Sequence, residues 1–436
     1  MKEVRPAEEV TGTVPIPGSK SVTHRALIAA GLAEGESRLH KFLECEDTVF
    51  TTHALRNLGI GLAAAGETMI VQGSGGVFTP AAETREIFLG NSGTSFRLLL
   101  AVVALARGRF LLTGTPRMHR RPVGELVTAL KCLGVDASCS KLEGFPPVAL
   151  RAAGIRGGKV QISGNRSSQF ISSLLLAGPY AEGEVEIEVT GSLVSRPYVD
   201  LTVEVMERFG ASLAREEYRY FRVIPGQVYR AREFTIEGDV SSASYFWAAA
   251  AVTGGSVTTT NLYPRTTQQG DIDFLAVLEE MGCSVERGAD RVVVRGGRLA
   301  GVEVDMGSMP DMVPTLAAIA AFAEGATLIR NVAHLRDKES DRLRAIAREW
   351  QRLGIPVEEL ADGLIIRGGP TSSGALVDPH DDHRLAMALA VLGLRTPGVK
   401  INDEQCVSKS FPGFWELWDG LTNPAECEGR GHRALD

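Results

Sequence analysis

The chain has 436 residues, 44% of them hydrophobic, and carries 46 Lys and Arg against 53 Asp and Glu for a formal net charge of −7. This composition excludes a disordered chain, and the length suits two or three domains, each large enough to bury its own core. Net acidity argues against a general binder of nucleic acid or anionic membrane, while leaving room for a local basic cleft.

The start MKEVRPAEEV has no apolar signal core, and the longest apolar run, Leu98 to Ala106, is too short to span a bilayer. The six cysteines form no CxxC and no zinc-ligand spacing with the eight histidines. They read as reduced thiols, and the expected location is the cytoplasm.

In chain order, one pattern returns six times: Gly or small polar residues, then an apolar helical run. The copies are PGSKSVTHRALIAAGLA from Pro17, GNSGTSFRLLLAVVALA from Gly90, GNRSSQFISSLLLAG from Gly164, GDVSSASYFWAAAAV from Gly238, GSMPDMVPTLAAIAAFA from Gly307 and DDHRLAMALAVLGL from Asp381. Their spacing is about 69–74 residues. A second series of helices stays in phase, ending at Leu58-Gly59, Leu133-Gly134, Phe209-Gly210, Met281-Gly282, Leu353-Gly354 and, more weakly, Asp419-Gly420. Glycine just past a periodic apolar stretch is the expected helix terminator, because a positive φ carries no Cβ penalty there.

Short strands follow a Gly turn between the helices: EGESRLHKF, RGRFLLTG, EGEVEIEVTG, GGSVTTTNL, EGATLIRNV and PGVKIND. Alternating stretches such as Ser212 to Val223 and Val285 to Val294 predict hairpins. The unit is strand–helix–strand–helix–strand–strand, too long for a solenoid repeat and suited to compact packing in threes. The expected class is α/β, with two domains of three βαβαββ repeats. One domain takes residues 19–231, the other 1–18 with 232–422, and 423–436 form a polar tail. The segment Glu3 to Ile16 has spare strand-like sequence to complete the sixth unit. Two chain crossings, near Gly18 and Arg232, imply a hinge and an interdomain cleft.

Several loops hold residues that folding alone does not select. Lys20 and Arg25 sit at a helix start, where cations oppose the helix dipole unless an anion rests on them. Gly93 and Thr94 repeat that pattern with Arg97 one turn in, and Thr115 to Pro122 adds Arg117, Arg120 and Arg121. Ser167, Ser168 and Gln169, and Ser241 with Ser242, occupy equivalent starts; caps suffice for some of these, most readily for Ser241 and Ser242. Ser195 lies in the matching loop of the third unit. Asp311 at a helix start is read as a cap or as an acid–base group. Lys338 and Arg342 would share a helix face with Glu339 beside them. Arg384 and Lys409 complete the cations of the sixth unit, while His380 and His383 lack metal-ligand spacing. Many cations, a few hydroxyls and two acids describe a site for two polyanionic small molecules with acid–base chemistry.

The motifs PGSKSVTHRAL, LGNSGTSFR, TPRMHRRPVGELV, SSQFISSLLLAGP, LVSRPYVD, GDVSSASYFWAAAA, RDKESDRL, DDHRLAMAL and KSFPGFW, in this order, resemble the EPSP synthase (3-phosphoshikimate 1-carboxyvinyltransferase) family. The resemblance implies the enolpyruvyl transferase fold, an inverted α/β barrel in each domain, closing about a hinge. It implies transfer of the enolpyruvyl group of phosphoenolpyruvate to the 5-hydroxyl of shikimate 3-phosphate, by addition and elimination through a tetrahedral ketal, with no cofactor or metal. By motif, Lys20, Ser21, Arg25, Ser167, Ser168, Gln169, Ser195, Asp311, His334 and Lys338 match ligands of shikimate 3-phosphate. Lys20, Gly93, Arg121, Gln169, Arg342, Arg384 and Lys409 match ligands of phosphoenolpyruvate.

Asp311, Glu339 and Lys20 match the groups that move protons, and His334 stands where many relatives have Asn. Glyphosate is the implied inhibitor, and a monomer without nucleic-acid or membrane partners is expected. The sister family acting on UDP-N-acetylglucosamine typically carries a Cys in the loop corresponding to Thr115 to Arg121, which has none. A repeat-built scaffold around nucleic acid would need basic inner faces without paired acids.

Overall fold

The computed structural model describes residues 1–369 and 374–423. They form two compact units, one of residues 18–236 and one of 1–17 with the chain from 237 onward. Twelve α-helices alternate between inner and outer positions.

In the unit of residues 18–236 the helices are α1 (Lys20–Leu32), α2 (Glu46–Asn57), α3 (Gly93–Ala104), α4 (Gly124–Cys132), α5 (Ser168–Ala177) and α6 (Pro197–Arg208). The other unit holds α7 (Val240–Thr253), α8 (Phe274–Glu280), α9 (Val313–Ala320), α10 (Arg342–Arg352), α11 (His383–Gly393) and α12 (Phe414–Thr422).

The odd-numbered helices are the inner ones. Every residue of α7, α9 and α11 is buried. A helix apolar on all sides is stable only where protein surrounds it, so each unit's core is built around three such helices. Five of the even-numbered helices stop where the sequence places their glycines: Gly59, Gly134, Gly210, Gly282 and Gly354 all hold positive φ. The sixth differs, because α12 runs through Gly420 to Thr422.

Each repeat contributes a small sheet around one central strand. Glu34–His40, Arg107–Thr113 and Val185–Thr190 are central in one unit, and Ser256–Thr260, Ala326–Arg330 and Lys400–Ile401 in the other. A strand pairs parallel with the centre, preceding it in the chain in all repeats but the first, and in five repeats a hairpin pairs antiparallel on the other side. The second repeat illustrates this: Ala81–Phe88 lies parallel to Arg107–Thr113, which pairs with Val148–Ala153 and through it with Asp136–Cys139.

The parallel edge of the first sheet is Glu233–Thr235, in register with Arg38–His40. This pairing corrects the sequence-based division: residues 232–236, and Gly18, belong with 18–236, because the backbone hydrogen bonds of that strand are made there. The N-terminal segment also differs from expectation by serving two sheets. Lys2–Glu3 pairs antiparallel with Lys400–Ile401 in the sixth repeat, while Thr11–Pro15 pairs parallel with Ser256–Thr260 in the fourth. Residues 424–436 of the proposed polar tail lie outside the described residues. No helix among the described residues is long and apolar enough to cross a membrane.

Candidate active site

Within the unit of residues 18–236, the starts of α1, α3 and α5 gather the basic motifs. Lys20 opens α1 and is buried; its Nζ donates to Asp47 Oδ2 at 2.9 Å. Asp47 lies in the first turn of α2, and its backbone carbonyl accepts from Ser95 Oγ at 2.9 Å, which ties the pair to α3. Arg25, one turn further along α1, is only 1% exposed. Its Nε donates to Thr202 Oγ1 (2.8 Å), Nη1 to the Ser21 carbonyl (2.9 Å) and Nη2 to the Tyr198 carbonyl (2.9 Å). All of these acceptors are neutral, and burial lowers the guanidinium pKa to about 10. A cation desolvated in this way is strained electrostatically until an anion compensates it.

Arg121, in the loop before α4, is also buried and donates through Nη1 to the Asn91 carbonyl at 2.7 Å. A Cβ built on Gly93 would fall 2.4 Å from Arg121 Nη2, so the glycine is what lets the guanidinium lie across the start of α3. Arg97 donates to Gln169 Oε1 at 3.0 Å, and Gln169 Nε2 donates to Thr94 Oγ1 at 3.0 Å, joining α3 to α5. Ser167 caps α5 by accepting from Gln169 N–H, while Ser168 is buried and Ser21 half-buried. Ser195 adopts the left-handed region, with φ of 54°, just before α6.

In the other unit, the sequence-matched acids and cations form one charged cluster. Arg342, the first residue of α10, is 1% exposed and touches three carboxylates. Its Nη1 donates to Asp311 Oδ1 (2.9 Å), Nη2 to Glu339 Oε2 (2.8 Å) and Nε to Asp382 Oδ2 (2.8 Å). Arg384 Nη2 donates to Asp311 Oδ2 at 2.6 Å. Burial pushes the Asp311 carboxyl up, but Arg384, Lys338 and Arg342 together pull harder and hold it well below the usual carboxylate range.

Asp311 occupies a single 3-10 turn ahead of α9, and the N-cap position of α9 is Met312 rather than Asp311. Its carboxylate faces two guanidinium partners. The shared helix face expected for Lys338 and Arg342 is absent. Lys338 ends a 3-10 turn at Ala333–Asp337, and Asp341 caps a new helix by accepting from Arg344 N–H. The break frees Glu339 to fold back onto Arg342. Lys409 is buried at the end of a 3-10 turn, Glu404–Lys409. His334 is buried, and burial followed by Lys338 pushes its imidazole down to about 3. It is neutral at pH 7, and Nε2 has no hydrogen-bond partner among the described residues.

Two acids were not singled out from the sequence, although the repeat itself marks them. Asp47 precedes Arg121 by 74 residues, and Asp271 follows Ser195 by 76, so both stand at the outer-helix loop position that Arg121, Ser195, Glu339 and Lys409 occupy elsewhere. Asp271 is fully buried and accepts a hydrogen bond from Ser241 Oγ. Burial, then the charges of Asp311 and Asp239, push its carboxyl up to about 7 against the opposing pull of Ser241 and Arg384. Ser241 is thus a partner of Asp271, and the cap of α7 is Asp239, which accepts from Ser242 N–H at 2.8 Å. Asn91, Tyr198, Thr202 and Asp382 complete the set of residues that fix the cations.

Five βαβαββ repeats and a sixth without its hairpin, with buried cations at the inner-helix starts and carboxylates beside them, define an α/β enzyme that handles small anionic substrates. A family model described as EPSP synthase (3-phosphoshikimate 1-carboxyvinyltransferase) matches residues 4–418. The chain is 50% identical to the 3-phosphoshikimate 1-carboxyvinyltransferase of Methanoculleus marisnigri, over 94% of this chain and 97% of that protein. It is 47% identical to the protein of the same description from Syntrophobacter fumaroxidans, over 96% and 99%. Among solved structures, EPSP synthase from Acinetobacter baumannii superposes with a TM-score of 0.79 at 29% identity, covering 96% of this chain and 97% of that one. The chain belongs to the EPSP synthase family.

Proposed function

We propose that the chain transfers the carboxyvinyl group of phosphoenolpyruvate to the 5-hydroxyl of shikimate 3-phosphate, releasing inorganic phosphate, as its family's description states. This is a step of the shikimate pathway, on the way to chorismate and the aromatic amino acids. The observation that carries the residue assignment is the Asp311 carboxylate held between Arg342 and Arg384. A carboxylate so held is ionised at neutral pH and oriented, but weakly basic. Phosphoenolpyruvate brings its own carboxylate and phosphate to the same guanidinium groups. As those groups turn to the substrate, their hold on Asp311 weakens and its basicity rises.

In the addition step, Asp311 takes the proton of the 5-hydroxyl as that oxygen bonds to C2 of phosphoenolpyruvate. A proton delivered to C3 from Lys20 or Glu339 makes the methyl group of a tetrahedral ketal. In the elimination step, a proton leaves that methyl, the C2–C3 double bond re-forms and the C–O bond to phosphate breaks. The proton lent to C3 is recovered from the methyl group, and the proton that Asp311 took from the 5-hydroxyl leaves with the departing phosphate, so the reaction balances without an oxidant.

Ser21, Arg25, Ser167, Ser168, Gln169, Ser195, His334 and Lys338 bind shikimate 3-phosphate, with the neutral His334 imidazole suited to a sugar-like hydroxyl. Gly93, Arg121, Gln169, Arg342, Arg384 and Lys409 bind phosphoenolpyruvate, and Lys20 serves both. Glyphosate competes at the phosphoenolpyruvate position, and the protein acts as a cytoplasmic monomer.

The test is phosphate release from phosphoenolpyruvate with shikimate 3-phosphate or UDP-N-acetylglucosamine as acceptor. Release with the first alone is expected, and release with only the second would overturn the reading.

A further inference from the structure

One buried carboxylate has no part in the chemistry above. Glu349, in the last two turns of α10, is 1% exposed. Its Oε2 accepts from the backbone N–H of Asp378 and from Arg352 Nη1, both at 3.0 Å, and its Oε1 accepts from His380 Nε2 at 3.0 Å. Arg348 Nε lies 3.7 Å from the same oxygen. Glu349 therefore grips the segment 378–381 through one main-chain and one side-chain contact.

That segment is conformationally costly. His380 and Asp381 both hold positive φ, 55° and 56°, and His380 N–H closes a tight turn onto Asp378 Oδ1 at 2.7 Å. Two consecutive non-glycine residues in the left-handed region persist only where surrounding contacts over-determine them. The next residue is Asp382, which is fully buried. It caps α11 by accepting from Arg384 N–H, and it receives Arg342 Nε and Ser340 Oγ. The same helix thus supplies Arg342 at its first turn and, seven residues on, the carboxylate that anchors the segment receiving that arginine.

We propose that Glu349 is a positioning residue for the reaction: by holding Asp378 and His380 it sets the backbone that delivers Asp382 to Arg342 and Arg384 to Asp311. The inference rests on the reading above in assigning Arg342 and Arg384 to phosphoenolpyruvate. It also carries a pH dependence. The groups facing His380 are Glu349, which raises its pKa most, then Asp378, which raises it, and Arg348, which lowers it together with burial. On Glu349 itself burial pushes up, and His380, the Asp378 N–H and Arg352 pull it below the usual range. The clamp is complete with His380 protonated and loosens as pH rises through the raised His380 pKa.

The experiment compares the full chain with Glu349→Gln and His380→Asn in steady-state assays against each substrate from pH 6 to 9, with a thermal melt of each variant. Asn keeps the left-handed backbone at 380 while removing the imidazole. Loss of one charge-assisted contact is expected to raise KM for phosphoenolpyruvate roughly tenfold, with KM for shikimate 3-phosphate unchanged and kcat falling less. The rise of the wild-type KM for phosphoenolpyruvate above the His380 pKa should flatten in His380→Asn. If Glu349→Gln does not fold, the partly exposed His380 position gives the same readout.

A lowered melting temperature with both KM values unmoved, or both rising together, would overturn the proposal in favour of a purely structural role. So would a His380→Asn pH profile parallel to wild type. Wild-type chain that turns over neither substrate pair would overturn the functional reading, and the positioning role with it.

Discussion

In the unit of residues 18–236 the buried Arg25 donates to neutral acceptors, whereas in the other unit Arg342 and Arg384 are interleaved with carboxylates. Lys20 donates to Asp47, while Arg97 donates to an amide and Arg121 to a carbonyl. Arg342 alone meets three carboxylates, and Arg384 shares one of them. Arg25, buried on neutral acceptors, is a cation whose electrostatic cost an anion would relieve. The other unit already pairs its guanidinium groups with carboxylates, so under the proposed mechanism an anion that binds there competes with Asp311 for them.

Removing Asp311 breaks the comparison most severely. Asp311→Asn should lower kcat by about 10²–10⁴-fold, the usual worth of a positioned general base. Dissociation constants measured calorimetrically should change little, because Lys20, Arg121 and Lys338 remain. Near-normal kcat would mean that Asp311 only balances Arg342 and Arg384.

Asp47→Asn tests the Lys20 end of the comparison through stability. Breaking a buried ion pair by removing one partner costs about 3–5 kcal/mol, since the other charge stays buried. The variant should melt well below wild type, and shikimate 3-phosphate should restore more of that loss than it adds to the wild-type melting temperature. Equal ligand shifts in both proteins would show that Lys20 is not exposed to the bound anion.

A smaller effect is expected at Gly93. The methyl of Gly93→Ala would first meet the Arg121 guanidinium. Overpacking of this kind costs about 1–3 kcal/mol, or roughly ten- to a hundredfold in a glyphosate inhibition constant. KM for phosphoenolpyruvate should rise less, as Arg121 swings aside on a flexible stem. Equal inhibition constants for the two proteins would remove Gly93 and Arg121 from the inhibitor's surroundings.

The smallest change concerns Asp271, whose carboxyl is pushed up to about 7 in the folded chain. A raised carboxyl binds its proton more tightly when folded, so its contribution is complete below its unfolded pKa and is lost as pH rises through about 7. Asp271→Asn removes that loss. Its melting temperature relative to wild type should be higher at pH 8.5 than at pH 5, by about 2–6 °C. A difference independent of pH would show that Asp271 is ionised throughout.

Much of this was legible without coordinates, for a physical reason. Helix periodicity, glycine terminators and the spacing of six motifs are local properties, so the repeat and the inner-helix starts follow from the sequence itself. The family motifs likewise contain the buried cations described in both units. Partners were not legible, because each is chosen by packing between distant segments: Arg25 reaches Thr202, Arg97 reaches Gln169, and Arg342 reaches Asp382. The same holds for sheet edges, where Glu233–Thr235 and Thr11–Pro15 complete sheets begun far along the chain. A lone lysine and a lone aspartate look alike in sequence whether solvated or joined. Only the tertiary structure decided that Arg25 is buried on neutral acceptors and Arg342 among carboxylates, since burial and proximity, not residue type, fix the energy of a charge.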